Sequence, residues 1–203
     1  LFGGVSAFAS SFGMEWLEEI YDKCIQSEII FNKRLLKSFH TSLKTAGWSP
    51  LTVLAGVSGT GKSLLPEYYC RYGGIYFKSM AVQPDWDSPQ SLFGFFNSID
   101  NRFNATTLIR AMVQFVDYKN LETSVKRILN ETRREEEVVT YLQKLSVEKY
   151  NLNNAMFMVL LDEMNLAHVE LYFSDMLSKL ERRRNSDEIV NIEIDMGAGM
   201  SKF

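Results

Sequence analysis

The chain has 203 residues, of which 46% are hydrophobic and 13% aromatic, so it can bury the core of one domain or of one domain with an appendage. Its net charge of −3 excludes a strong global field toward nucleic acid or an acidic membrane, although a local basic patch stays compatible with it. No apolar run approaches the roughly 20 residues that a membrane span needs, and the two distant cysteines, Cys24 and Cys70, match no metal-binding spacing. We therefore expect a reduced, cytoplasmic protein with no membrane partner, with a single disulfide as the minor alternative.

The first 47 residues predict a loose leader followed by helices. The opening "LFGGVSAFASSFG" is small and apolar, and it lacks the basic start of a secretion signal. From Met14 to about Ala46 apolar residues recur at spacings of three and four, and Ser27 is predicted to cap the start of a second helix. We accordingly divide the chain into a leader with a helical extension, 1–47, and a core, 48–203.

The core alternates helices with apolar strands, which favours an α/β layered domain with a mainly parallel sheet. A glycine ends the first predicted strand, "LTVLAG", and the runs "GGIYFKSMAV", "AMFMVLL" and "EIVNIEID" predict further strands. Aromatic residues on both sides of a polar turn suggest a hairpin within the run "SLFGFFNSIDNRFNATTLIRAM". The stretch from Met164 to Arg184 predicts a long amphipathic helix, and Lys119–Asn154 predicts a charged helical insertion.

The segment "GVSGTGKS" fits the pattern G-x-x-x-x-G-K-[ST] at every fixed position. Its glycines let the backbone curl so that successive N–H groups face one centre, at a helix N-terminus where the dipole favours an anion. Lys62 supplies a positive charge for the β- and γ-phosphates, and the Ser63 hydroxyl can ligate Mg²⁺. The predicted nucleotide-binding loop consists of Gly56, Val57, Ser58, Gly59, Thr60, Gly61, Lys62, Ser63 and Leu64.

Two adjacent acids, Asp162 and Glu163, end the apolar run "MFMVLL". Because neighbouring parallel strands end at the same edge of a sheet, we expect Asp162 beside the phosphate loop, where it holds Mg²⁺ through water. Glu163 is predicted to polarise the attacking water, and together with Lys62 it is a candidate catalytic residue. The alternative is that one of the two acids only caps the following helix.

Three motifs together, "GVSGTGKS", "VQPDWDSPQSLFGFFN" and "LLDEMNLAHVELYFSDMLSKLE", resemble the AAA+ NTPase domain of McrB-like proteins. These are motor subunits of modification-dependent restriction systems, and the resemblance covers about residues 35–181. It implies a P-loop αβα sandwich of the helix-two-insert clade, which includes MoxR-like proteins, with the inserted hairpin at 92–103. By this resemblance Asp162 and Glu163 match the Walker B pair, and Asn165 matches the Asn of the "DE-x-N" signature.

The resemblance also implies cofactors and partners. ATP, or GTP in its place, would bind with Mg²⁺ between the subunits of a homo-oligomeric ring, typically a hexamer. The ring would act on DNA or on a partner protein such as a nuclease subunit. Two alternatives stay open: a non-hydrolysing nucleotide-binding regulatory module, and a MoxR-like chaperone that remodels proteins.

In the family, Walker B is followed by a strand with a polar sensor residue, by an arginine that reaches the γ-phosphate of the neighbouring subunit, and by a helical lid. None of these is recognisable before Phe203, so we expect a partial AAA+ core whose C-terminal sensor and lid part is missing. The run Arg182–Arg184 either ends a helix with cations or makes a contact across a subunit interface.

The remaining prominent side chains are expected to be structural. His40 is predicted to lie within the early helical region as a structural residue, and His168 on a surface or an interface. Trp86 is expected to pack rather than to bind a ligand. Tyr172 and Phe173 are expected to be core or interface aromatics.

Overall fold

The structure, a computed structural model, describes residues 13–45, 51–115, 156–185, 193–195 and 200–202. The predicted leader up to residue 12 and the predicted insertion at Lys119–Asn154 lie outside these ranges. The described part is mixed α/β, with helices and a small parallel sheet. Within it, none of the helices combines the length and the apolar composition that crossing a bilayer requires.

The described residues fall into two compact units. The loop unit holds the described residues of 2–79 and 151–162, including the predicted phosphate loop and Asp162. The hairpin unit holds the described residues of 80–150 and 163–203, including Glu163. The division therefore passes between the two acids of the predicted Walker B pair.

The loop unit begins with two helices, α1 (Met14–Gln26) and α2 (Lys33–Lys44). The predicted start of the second helix at Ser27 is wrong, because Ser27 instead ends α1, where its backbone N–H bonds to carbonyls of the last turn. The cap of α2 is Asn32, whose side-chain oxygen accepts hydrogen bonds from the backbone N–H groups of Arg34 and Leu35 at 2.9 and 3.4 Å. Such a cap satisfies N–H groups that have no partner within the helix.

The core of the loop unit joins these two helices to α3 (Leu64–Gly73), the helix that follows the predicted phosphate loop. Apolar side chains of α1, α2 and α3 are buried together with two residues that lie just outside these helices, Phe31 and Ile75. The buried members are Leu17, Ile20, Cys24, Phe31, Leu36, Phe39, Leu65, Tyr69, Cys70 and Ile75. Both cysteines are free thiols, and burial raises the pKa of each. This packing therefore fixes the position of α3, the helix that follows the loop.

The parallel sheet of the structure pairs β1 (Tyr76–Ala81) with β4 (Phe157–Asp162), so both of these predicted strands are confirmed. The Tyr76 N–H donates to the Met156 carbonyl at 3.2 Å where the pair begins. The strand predicted at 51–56 is wrong: no strand pair among the described residues includes it. Burial alternates along that segment, and Val53 is 75% exposed, so the apolar pattern is not matched by a buried strand.

The hairpin unit contains the predicted hairpin. After the short helix α4 (Pro89–Phe93), strand β2 (Gly94–Asn97) pairs antiparallel with β3 (Arg102–Ala105), and helix α5 (Thr107–Phe115) follows. Gly94 has φ +115°, and a Cβ there would lie 2.3 Å from the Asn104 carbonyl oxygen, so only glycine fits where the hairpin begins.

The predicted long helix over Met164–Arg184 is wrong in its continuity. The segment forms a 3₁₀ turn (Met164–Leu166), a one-turn helix α6 (Val169–Tyr172) and the longer helix α7 (Ser174–Asn185). Beyond it, β5 (Glu193–Asp195) lies within the predicted strand "EIVNIEID" and pairs antiparallel with β6 (Met200–Lys202), in a stretch that the sequence had not marked as a strand.

Candidate nucleotide-binding site

The predicted phosphate loop leads directly into α3. Gly59 and Gly61 have φ of +81° and +80°, in the left-handed region that a residue with a Cβ adopts only at a cost. The Leu65 N–H donates to the Gly61 carbonyl at 3.0 Å, so helical hydrogen bonding already begins inside the loop. The glycines of the motif are thus needed by the backbone path that delivers the chain to a helix N-terminus, the place where anions bind best.

Two side chains of the loop converge on one backbone oxygen. The Lys62 ammonium donates to the Val57 carbonyl at 2.6 Å, and the Thr60 hydroxyl donates to the same oxygen at 2.8 Å. An ammonium has three N–H donors, so Lys62 can keep this bond and still donate to a phosphate. The lysine is thereby held over its own loop, although residues 55–60 are exposed to solvent.

The loop and β4 meet at Ser63 and Asp162. The Ser63 hydroxyl donates to a carboxylate oxygen of Asp162 at 2.9 Å, and the contact is partly buried. Both residues belong to the loop unit, and the parallel pairing of β1 with β4 brings the end of β4 to this position. The structure therefore brings together the two residues that were predicted to hold Mg²⁺.

The donor set fits a hard divalent cation. Mg²⁺ binds through one or two protein oxygens and completes its shell with water and substrate phosphates. A hydroxyl oxygen and a carboxylate oxygen lie 2.9 Å apart at Ser63 and Asp162. Among the described residues, no cluster of three or more His, Cys, Asp or Glu side chains suits a metal held by protein alone. The chemistry thus fits Mg²⁺ that arrives with a phosphate ligand.

Glu163 has an unusual backbone. It is exposed, and its φ of 55° and ψ of 41° place a residue that is not glycine in the left-handed region. The Leu166 N–H donates to the Glu163 carbonyl at 2.9 Å, which fixes the turn that follows. Left-handed backbone at a residue with a side chain persists when the surroundings enforce it, and it is concentrated at functional sites. The role of Glu163 toward water stays a prediction.

A buried tyrosine holds the turn after the acids, and the sequence did not reveal this contact. Tyr172 is 0% exposed, and its hydroxyl donates to the Met164 carbonyl at 3.3 Å. The Trp86 ring packs edge-on against Tyr172, with 5.3 Å between the ring centroids. The packing predicted for Trp86 is therefore confirmed, as is the core position of Tyr172. The sequence pattern resembles one continuous helix, so it did not reveal the helix break between Met164 and Tyr172.

The two histidines take the positions expected of structural or surface residues. His40 is 4% exposed, and a 2.8 Å hydrogen bond joins its Nδ1 to the Tyr69 hydroxyl of α3. Burial lowers the pKa of His40, and the nearby Lys44 lowers it further. His168 is exposed and precedes α6. His40 thus fastens α2 to the helix that bears the loop, as expected of a structural residue.

No protein-family model, curated protein or solved structure matches this chain.

Proposed function

We propose that this chain binds a nucleoside triphosphate with Mg²⁺ through Gly56–Ser63 and, in its assembled form, hydrolyses the terminal phosphate. The observation that carries the proposal is the 2.9 Å contact between the Ser63 hydroxyl and Asp162. A glycine-rich turn at a helix start also occurs in proteins that bind no nucleotide. A carboxylate brought to the serine of that turn by a separate strand adds the second half of a Mg²⁺–phosphate site.

Each residue has a separate task in this proposal. The loop N–H groups and Lys62 bind the phosphates, while Ser63 and Asp162 hold Mg²⁺, directly or through water. The bound cation supplies positive charge that offsets charge on the phosphate oxygens. Glu163 orients the attacking water and accepts its proton.

The resemblance to McrB-like AAA+ proteins extends the proposal to assembly. In that extension the chain is part of an αβα AAA+ core in a homo-oligomeric ring, a hexamer, that uses ATP, or GTP, to act on DNA or on a partner nuclease. The helix-bounded hairpin Gly94–Ala105 and the parallel pairing of β1 with β4 support it. An arginine from a neighbouring subunit would complete the charge stabilisation.

Binding and turnover of ATP and GTP by matched variants test the proposal. We expect Lys62→Ala to lose most of the triphosphate affinity. Glu163→Gln should keep that affinity and lose about 10²- to 10⁴-fold in turnover, the usual contribution of a positioned base. Glu170→Gln makes the same chemical change at another exposed glutamate and should behave as the parent chain does.

The outcomes distinguish the alternatives. A chain that binds neither nucleotide, or binds both equally well after Lys62→Ala, would refute the proposal. Tight binding with no turnover in any assembly state would make the chain a non-hydrolysing regulatory module. Turnover that DNA stimulates would favour a DNA-directed motor, and turnover that only an unfolded protein stimulates would favour a MoxR-like remodelling activity.

A further inference from the structure

We infer that Thr60 is a positioning residue that presets Lys62 for the phosphates, a role that rests on the proposed nucleotide binding. The motif pattern leaves this position unspecified, because Thr60 is one of its four variable residues. The structure gives its hydroxyl a defined partner, the Val57 carbonyl, at 2.8 Å.

Thr60 and Lys62 share one hydrogen-bond acceptor, the Val57 carbonyl. A carbonyl oxygen has two lone pairs, and at Val57 one accepts from Thr60 and the other from Lys62, at 2.8 and 2.6 Å. The bond from Lys62 is short and involves a charged donor, so it is the stronger of the two. The direction of the Val57 carbonyl therefore determines where the lysine ammonium rests.

The Val57 carbonyl needs a second restraint to keep that direction. Val57 is 78% exposed, and Gly56 directly before it and Gly59 two residues after it give the backbone unusual freedom. The Thr60 hydroxyl reaches back three residues and fixes the peptide unit that Lys62 uses. Without it the ammonium would lose a fixed position before the phosphate arrives, and ordering it would cost affinity.

Thr60 contributes in this way to affinity and little to folding. Residues 55–60 are exposed, and a surface hydroxyl of this kind adds little to the stability of the nucleotide-free chain. A loss of affinity without a loss of stability would therefore identify positioning, and a combined loss would identify a structural role.

Thr60→Val removes the hydroxyl with almost no change of shape, and isothermal titration with Mg·ATP and with Mg·GTP measures the effect. We expect the affinity for each nucleotide to fall about three- to tenfold, the size typical for the loss of one neutral hydrogen bond. Thr60→Ser restores the hydroxyl and should recover affinity to within about twofold of the parent. The melting temperature of nucleotide-free Thr60→Val should stay within about 2 °C of the parent.

Thr41→Val is the matched control, because the Thr41 hydroxyl also donates to a carbonyl, that of Lys37 at 2.9 Å, at an exposed position of α2 outside the loop. It should leave nucleotide affinity unchanged. The inference is overturned if Thr60→Val binds as the parent does, if Thr60→Ser is as weak as Thr60→Val, or if Thr60→Val melts well below the parent. A parent chain that binds neither nucleotide would instead refute the proposed function, and this inference with it.

Discussion

The Ser63 hydroxyl donates a hydrogen bond to an Asp162 carboxylate oxygen at 2.9 Å, although 99 residues separate the two in the chain. The contact joins the end of the glycine-rich loop to the last residue of β4. Since β4 is paired with β1, and β1 follows α3 directly, the sheet and the loop helix together determine this meeting. This contact supports a role for Asp162 in binding a cation. A residue that only capped the following helix would need no contact with Ser63.

Asp162→Asn tests that reading. The amide can still accept from Ser63 but carries no charge, so we expect triphosphate affinity in Mg²⁺ to fall by about ten- to a hundredfold, the range for a lost charged interaction. In excess EDTA the variant and the parent should bind equally. Asp85→Asn, at an exposed loop aspartate, should change neither value. An equal loss in Mg²⁺ and in EDTA would contradict the assignment of Asp162 to the cation.

Tyr172→Phe tests the restraint on the turn after the acids. The substitution removes only the hydroxyl and leaves the Met164 carbonyl without this donor inside the unit. Because Tyr172 is fully buried, we expect urea denaturation to report a loss of about 1 kcal/mol in the free energy of unfolding. Tyr68→Phe, at a half-buried ring, should cost less than half as much. Equal effects of the two substitutions would mean that the bond to Met164 contributes nothing of its own.

The sequence predicted well the features that depend on local chemistry. The loop glycines, the strands β1 and β4 and the hairpin at 94–105 all follow from residue types and spacings of a few positions. Gly59 and Gly61 are a good example, since their φ of +81° and +80° lie in the left-handed region for which glycine is suited. Local rules suffice for the loop and the hairpin because their residues are close along the chain, whereas for β1 and β4 the apolar composition indicates a strand without identifying its partner.

The wrong predictions involve boundaries that distant atoms decide. Ser27 and Asn32 are both good caps by type, and packing of α1 against α3 leaves Ser27 at the end of a helix. The run Met164–Arg184 has helical periodicity throughout, yet the helix is interrupted twice within it. The left-handed backbone of Glu163 and the hydrogen bond from Tyr172 to Met164 accompany these interruptions. The apolar pattern at 51–56 predicts a strand, but a strand also needs a hydrogen-bonded neighbour, which periodicity does not reveal.

Gly73→Ala tests the contact between α1 and α3. A Cβ at this position would lie 2.6 Å from Cζ2 of Trp16, closer than real contacts allow. Alanine favours a helix by about 1 kcal/mol over glycine, but overpacking typically costs about 1–3 kcal/mol, so we expect a net loss of stability in urea denaturation. When Trp16→Phe is combined with Gly73→Ala, the double variant should lose less stability than the sum of the losses of the two single variants. A variant more stable than the parent would show that Trp16 moves aside without cost.

Because of His40, the free energy of unfolding should decrease as the pH falls from about 6.5. Its pKa is lowered in the folded state by burial and by Lys44, whereas in the unfolded chain it lies near 6.5. The unfolded state therefore binds the proton more readily than the folded state does. The contribution of His40 to the free energy of unfolding is complete above about pH 6.5 and is lost as the pH falls through the folded pKa. The free energy of unfolding should change by at most about 1.4 kcal/mol per pH unit in this range. Urea denaturation from about pH 5 to 8 should show this slope in the parent and a shallower one in His40→Asn, whose amide can still bond to Tyr69. His168→Asn changes the only other histidine, which is exposed, and should keep the slope of the parent. If His40→Asn keeps that slope as well, His40 does not control the acid side of the stability curve.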